Sequence, residues 1–157
     1  MTPAVNIAKK AKIVYTLHSY IHDPASVSYG EEASEKLGIT ADRVFKTLIA
    51  QIDSRELVVA VIPVSSMLSM KQIAKASGGK KAQMAAGADV ERSSGYILGG
   101  VSPLGQKKRL RTFIDASAEN FPTIYVSAGR RGLEIELSPN DLKMLCSAEF
   151  YDLMADV

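Results

Sequence analysis

The chain has a single cysteine and only two histidines, so it is poor in the side chains that most often bind metals or serve as nucleophiles. One thiol, Cys146, cannot close an internal disulfide, and a reducing compartment suits it. His18, His22 and Cys146 are too scattered for zinc-ligand spacing, so no metal or cofactor is expected. Long hydrophobic runs are also missing: Leu57 to Val64 falls far short of the roughly 20 residues that span a bilayer. Met1 to Asn6 has no basic stretch leading into an apolar run and does not read as a secretory signal. A cytoplasmic location without a membrane partner is therefore expected. Neither sign of charge dominates, with 19 Lys and Arg against 17 Asp and Glu and a net charge of +2, which does not announce a nucleic-acid binder. The basic residues nonetheless cluster at Lys80-Lys81, Lys107 to Arg111 and Arg130-Arg131, while acids gather at Glu31-Glu32 and from Glu149 to Asp156. Such spots suit a phosphate-bearing ligand held with modest strength.

What is present is an ordinary globular composition, 46% hydrophobic and 23% charged over 157 residues. This length predicts one domain, residues 1–157, large enough to bury a core without covalent staples. Thr2-Pro3 starts a helix running to about Lys10, a capping hydroxyl followed by proline at the first position. Ile13 to Tyr20 reads as a strand, and Gly30 to Leu37 as a short helix closed by Gly38. Val44 to Ile52 and Leu57 to Pro63 form a hairpin around Asp53 to Glu56. Ser69-Met70-Lys71-Gln72 is a capping box before a helix ending at Gly78-Gly79. Lys81 to Met84 is a short strand and Gly87 to Ser94 a helix closed by Gly95. Arg109 to Ile114 is a strand, and Asp115 to Asn120 is helical or irregular. Thr123 to Ser127 and Leu133 to Leu137 alternate cleanly, joined by Ala128-Gly129-Arg130-Arg131-Gly132 as a hairpin loop. Ser138-Pro139 starts the last helix. The expected class is α+β: a mixed, mostly antiparallel curled sheet or partial barrel with short helices outside it.

Two stretches carry the chemistry. Leu98-Gly99-Gly100-Val101-Ser102-Pro103-Leu104-Gly105 holds three glycines, a proline and a serine. Glycine lets a backbone approach a ligand and proline fixes its direction, so such a loop can aim main-chain N–H groups at a carbonyl oxygen or an anion. A tight connection between elements would use the same residues. The second stretch is Val44-Phe45-Lys46-Thr47-Leu48-Ile49-Ala50, where Lys46 shares a strand face with Val44, Leu48 and Ala50 and the opposite face is also mostly apolar. An ammonium there needs a pocket, a partner or an exit to water, since full burial depresses a lysine pKa by about 3–5 units. A lysine whose stem covers apolar surface while its head reaches solvent is the other reading. No nucleophile–base set stands out. Cys146 sits among Leu142, Met144 and Leu145 as a helix core residue, His18 packs on a strand face, and His22 lies in the turn before Asp23-Pro24.

Taken together, and in order, Thr2-Pro3-Ala4, His22-Asp23-Pro24, Val44-Phe45-Lys46-Thr47-Leu48, Gly95 to Lys108 and Ile124 to Leu133 resemble the YbaK family of bacterial aminoacyl-tRNA deacylases. The resemblance runs from Met1 to Phe150, and relatives include the editing domain inserted in bacterial prolyl-tRNA synthetases. It implies a free-standing factor acting beside prolyl-tRNA synthetase, removing cysteine from Cys-tRNA(Pro) and also acting on Cys-tRNA(Cys). Carried over by residue, Lys46 matches the essential lysine placed to hold the terminal adenosine. Gly99, Gly100, Val101, Ser102 and Pro103 match the loop whose N–H groups hold the aminoacyl carbonyl, which makes Gly99, Gly100 and Ser102 catalytic candidates and Pro103 a substrate contact. Tyr20 and Ser127 match pocket residues. Glu134 stands where members often have aspartate, one methylene further from the backbone. Lys107, Lys108, Arg109, Arg130 and Arg131 are the candidates for contacting tRNA. The resemblance further implies that the substrate's own thiol attacks its ester. Water or a ribose hydroxyl as nucleophile, and a non-catalytic module binding an RNA end or a synthetase, remain alternatives at this point.

Overall fold

The computed structural model describes residues 1–26 and 28–156. Helices α1 (Pro3–Ala11), α2 (Tyr29–Leu37), α3 (Met70–Ala76), α4 (Gly87–Ser94) and α5 (Pro139–Cys146) surround two sheets. The smaller sheet has the order β1 (Tyr15–Ser19), β7 (Leu133–Leu137), β6 (Ile124–Arg130), all antiparallel. The larger has the order β4 (Ala82–Met84), β2 (Phe45–Ile52), β3 (Glu56–Pro63), β5 (Arg111–Asp115), β8 (Glu149–Tyr151). Its β3–β5 and β5–β8 pairs are parallel and the others antiparallel. The expected α+β class with a mixed, mostly antiparallel sheet is what forms. The curl is made by two sheets that meet at one bridge, Val44 to Tyr125, and they do not close into a barrel. No described helix is long and apolar enough to cross a membrane.

The local signals act as their chemistry requires. The Thr2 hydroxyl accepts from the Val5 N–H and donates to Ala128 C=O at 2.5 Å, so the cap of α1 also fastens the helix to β6. Ser69 and Ser138 cap α3 and α5 by accepting from Gln72 and Asp141 N–H, at 3.1 Å each. The β2–β3 turn places Asp53 and Ser54 at positive φ, as a tight hairpin demands. One expectation changes. The Ala128–Gly132 loop is mostly strand: β6 continues to Arg130, with a bulge between Ser127 and Arg130, leaving only Arg131-Gly132 as the turn. Gly129 makes this possible with φ +108°, where its N–H reaches the Ser127 hydroxyl at 3.1 Å.

The main core lies where α1, α5, β2, β3, β6 and β7 converge, with Ile49, Val61, Val126, Ile135, Leu137 and Leu142 buried together. A second cluster packs Ile62, Ile73, Phe113 and Leu153 on the α3 side of the large sheet. The glycine-rich loop is pressed onto the β6–β7 hairpin. A Cβ on Gly100 would lie 2.8 Å from Arg130 Cα and 3.2 Å from Arg131 N, both backbone atoms. Gly100→Ala is therefore expected to destabilise the fold by about 1–3 kcal/mol through overpacking. That corresponds to a fall in Tm of roughly 2–10 °C for a chain of this size. Thermal unfolding of the two proteins checks this, and an unchanged Tm would contradict the close packing.

Candidate active site

Strand β2 is buried at Phe45 and Ile49 but only half-buried across Lys46, Thr47 and Leu48. The break in burial marks the wall of a cavity of about 550 Å³, a size suited to a small ligand. Lys46 enters it from β2, Gly99 and Val101 from the glycine-rich loop, Tyr20 from the end of β1, and Ser127 and Glu134 from the small sheet. Residues 46, 99 and 134, far apart in sequence, thus share one enclosure.

Lys46 uses this cavity as its exit to water. Burial lowers the pKa of its ammonium, and the charge of Glu31 offsets part of that. Glu134 is a buried cross-strand neighbour of Ser127 on β6 and His18 on β1. Burial alone pushes its carboxyl up to about 8, so at neutral pH it is largely protonated. Burial, reinforced by the Glu134 charge, also raises the Tyr20 hydroxyl. The Thr47 hydroxyl oxygen is buried on the cavity wall with no hydrogen-bond partner among the described residues.

The loop presents its main chain unevenly. The Gly100 N–H is committed to Ile97 C=O at 2.9 Å. The Gly99 and Val101 N–H groups have no acceptor among the described residues, and both residues line the cavity. Gly99 adopts φ +93°, with Tyr29 and Arg131 against its Cα. Ser102 is fully buried away from the cavity. Its hydroxyl accepts from the Leu104 N–H at 3.2 Å and its carbonyl from Gln106 Nε2 at 3.0 Å, so it shapes the turn. Pro103 faces the other way too, into a second cavity of about 230 Å³ that Lys108, Arg109 and Cys146 also line. Cys146 donates its thiol to Pro103 C=O at 3.3 Å, and burial pushes that thiol up to about 12, which leaves it inert as a nucleophile.

The basic candidates divide in the same way. Lys107, Lys108 and Arg109 are exposed on the far side of the loop, where Lys107 and Lys108 N–H groups tie back to Ser94 and Ser93 C=O. Arg130 is exposed on the hairpin, and Arg131 alone of the five lines the large cavity. His18 binds Glu136 at 2.8 Å and packs on Tyr125, outside the cavity. No three described His, Cys, Asp or Glu side chains cluster as a metal site would.

Sequence reasoning missed His22. It is no bystander in its turn: Nδ1 lies 2.6 Å from Glu32 Oε1 and Nε2 lies 3.2 Å from Arg131 Nη1. Glu32 is buried, and burial opposes its charge. Hydrogen bonds from His22, the Asp23 N–H and Lys36 outweigh that and hold its carboxyl below the usual range. The sequence marked it only through the His22-Asp23-Pro24 stretch, and nothing local connects it to Glu32, ten residues on.

A model of the aminoacyl-tRNA editing domain matches residues 23–145. Over 97% of its length the chain is 38% identical to a protein of Enterococcus faecalis (strain ATCC 700802 / V583) named "Putative Cys-tRNA(Pro)/Cys-tRNA(Cys) deacylase EbsC", covering 92% of it. It is 28% identical to the uncharacterized protein YwhH of Bacillus subtilis (strain 168) over 71% of each chain. Among solved structures, it superimposes on one described as "a putative trans-editing enzyme for prolyl tRNA synthetase" with TM-score 0.80 and 19% identity, covering 99% of each chain. The hypothetical protein APE2540 gives TM-score 0.86 at 22% identity, with 98% of this chain and 99% of that one covered. At these identities the structural likenesses speak for the fold.

Proposed function

The chain belongs to the aminoacyl-tRNA editing domain family, and from that premise we propose that it is a single-domain deacylase removing cysteine from Cys-tRNA(Pro) and Cys-tRNA(Cys). The observation that carries this reading is the shared cavity, lined by Lys46 and by Gly99 and Val101 of the glycine-rich loop, two residues whose main-chain N–H groups have no acceptor among the described residues. In the proposed complex the terminal adenosine lies along β2 with Lys46 on its ribose or phosphate. The aminoacyl group points between the loop and the small sheet. Its carbonyl oxygen takes the Gly99 and Val101 N–H groups, while Tyr20, Ser127 and Glu134 contact the amino acid.

Among the described residues no cavity-lining hydroxyl is hydrogen-bonded to a general base, and the only cysteine is on the other side of the loop with a raised pKa. This supports the substrate as its own nucleophile. The bound cysteine thiol loses its proton, its sulfur attacks the ester carbonyl, and the tRNA 3′ oxygen leaves and takes up a proton, which closes a small cyclic thioester. Intramolecular attack of this kind can remove roughly 7–11 kcal/mol of barrier when well oriented. The protein then supplies orientation and oxyanion stabilisation, one donor being worth about 10²–10³ in rate. A synthetase pocket separates near-isosteres such as cysteine and proline by only about 1–3 kcal/mol, so editing beside prolyl-tRNA synthetase in the cytoplasm meets a physical need.

The test is turnover of labelled tRNA charged with Cys, Ser, Ala or Pro. Cys-tRNA(Pro) is expected to lose its ester far faster than in buffer at micromolar protein, and Ser-tRNA to react poorly because a hydroxyl is the weaker nucleophile. Equal rates for Cys and Ser would sink the thiol mechanism, and no rate above buffer would sink the deacylase. With Lys107, Lys108, Arg109 and Arg130 as the tRNA contacts, three or four phosphate contacts give a log–log salt slope of roughly −2 to −4.

A further inference from the structure

We propose that Arg131 is a positioning residue that orients the Gly99 N–H, and that His22 and Glu32 hold it in place. The inference rests on the deacylase reading above. Arg131 Nη2 reaches Leu98 C=O at 3.4 Å, and its guanidinium carbon stacks 3.7 Å from the Tyr29 ring centroid. Leu98 C=O and Gly99 N–H belong to one planar trans peptide unit, so the two bonds point in opposite directions. Anchoring the carbonyl toward Arg131 therefore fixes where the Gly99 N–H points, and that N–H has no acceptor of its own among the described residues. Glycine at 99 needs this restraint more than another residue would, because its backbone at φ +93° is otherwise free to turn.

The restraint on Arg131 is itself built. Nη1 meets His22 Nε2 at 3.2 Å, and His22 Nδ1 meets Glu32 Oε1 at 2.6 Å. Glu32 is buried and also takes the Asp23 N–H at 2.8 Å and Lys36 Nζ at 3.3 Å. This bonding puts the His22 proton on Nδ1 and leaves Nε2 as the acceptor for Arg131. The Leu98 N–H is held as well, by Glu91 Oε2 at 3.0 Å, so both peptide units flanking Leu98 are tethered by side chains. A surface arginine that served only to attract phosphate would need neither a carboxylate–imidazole support nor a bond to the loop carbonyl.

The experiment measures kcat and KM for Cys-tRNA(Pro), with melting temperatures, on the full chain and on Arg131→Ala, Arg131→Lys, His22→Ala and the double alanine variant. Arg131 is exposed, so its replacement removes no core contact. Arg131→Ala is expected to lower kcat by roughly 10–100-fold, less than deleting an oxyanion donor outright, with KM within about twofold. Arg131→Lys keeps the charge but cannot serve both partners, so it should share the loss in kcat. His22→Ala should lower kcat in the same direction, and the double variant should be no worse than Arg131→Ala alone, because the two act through one contact. Should His22→Ala fail to fold, His22→Gln replaces it in the cycle. A raised KM with normal kcat, full rescue by lysine, or losses that multiply in the double variant would each overturn the proposal in favour of a plain RNA contact. A full-length protein with no turnover would instead overturn the deacylase reading, and this inference with it.

Discussion

Lys46→Ala is expected to lower kcat/KM for Cys-tRNA(Pro) by at least about 10²-fold, the scale on which misplacing a reacting group acts. The fold should survive, because the lysine is only half-buried and burial already works against its charge. Lys46→Met makes the sharper control. It retains the apolar stem between Leu48 and Ile62, across the β2–β3 pair, while deleting the ammonium. Its Tm should match or exceed that of the unaltered protein, since removing a partly desolvated charge is neutral or stabilising when shape is kept. Activity close to normal in either variant would take Lys46 out of the mechanism. Because burial lowers the pKa of this ammonium, the alkaline limb of the rate profile should also fall below that of an ordinary lysine, near 10.4.

Stability should fall steadily from about pH 4.5 to pH 8, and Glu134→Gln should remove most of that slope. The folded protein holds the Glu134 proton up to about 8, whereas an unfolded glutamate releases it near 4.5. Between those values the folded state binds one proton more than the unfolded state, so raising the pH favours unfolding. Below 4.5 both states are protonated and the stabilising difference is whole; above 8 it has gone. The span from 4.5 to about 8, at about 1.4 kcal/mol per pH unit, sets a ceiling of roughly 5 kcal/mol. Water entering the cavity reduces it. Glutamine is neutral throughout, so urea unfolding at pH 5, 6, 7 and 8 should show the variant gaining on the original protein by several kcal/mol at the upper end. Parallel curves would mean that the carboxyl is not held protonated.

The carboxyl at 134 also bears on the proposed site. The Glu134 side chain lines the cavity from β7, where its cross-strand neighbours are Ser127 and His18, and among the described residues no ionic partner is there to charge it. A neutral carboxyl at that position can donate as well as accept a hydrogen bond, which an ionised carboxylate cannot do.

What the sequence determined by itself was local. The caps at Thr2, Ser69 and Ser138, the β2–β3 hairpin, the α4 boundaries at Gly87 and Ser94, and the oddity of a lysine in an apolar strand all follow from rules acting over a few residues. Periodicity and capping chemistry act at that range. The tertiary structure decided which of these features face one another. It turned Gly99 and Val101 toward Lys46 while turning Ser102 and Pro103 away. It drew β6 through Gly129 so that only Arg131-Gly132 makes the turn. It joined Glu32 to His22 and His22 to Arg131 across 109 positions of chain. The physical reason is that desolvation and side-chain contact depend on what the rest of the chain places nearby. No local pattern records the burial that keeps the Glu134 proton, or the guanidinium that tethers Leu98.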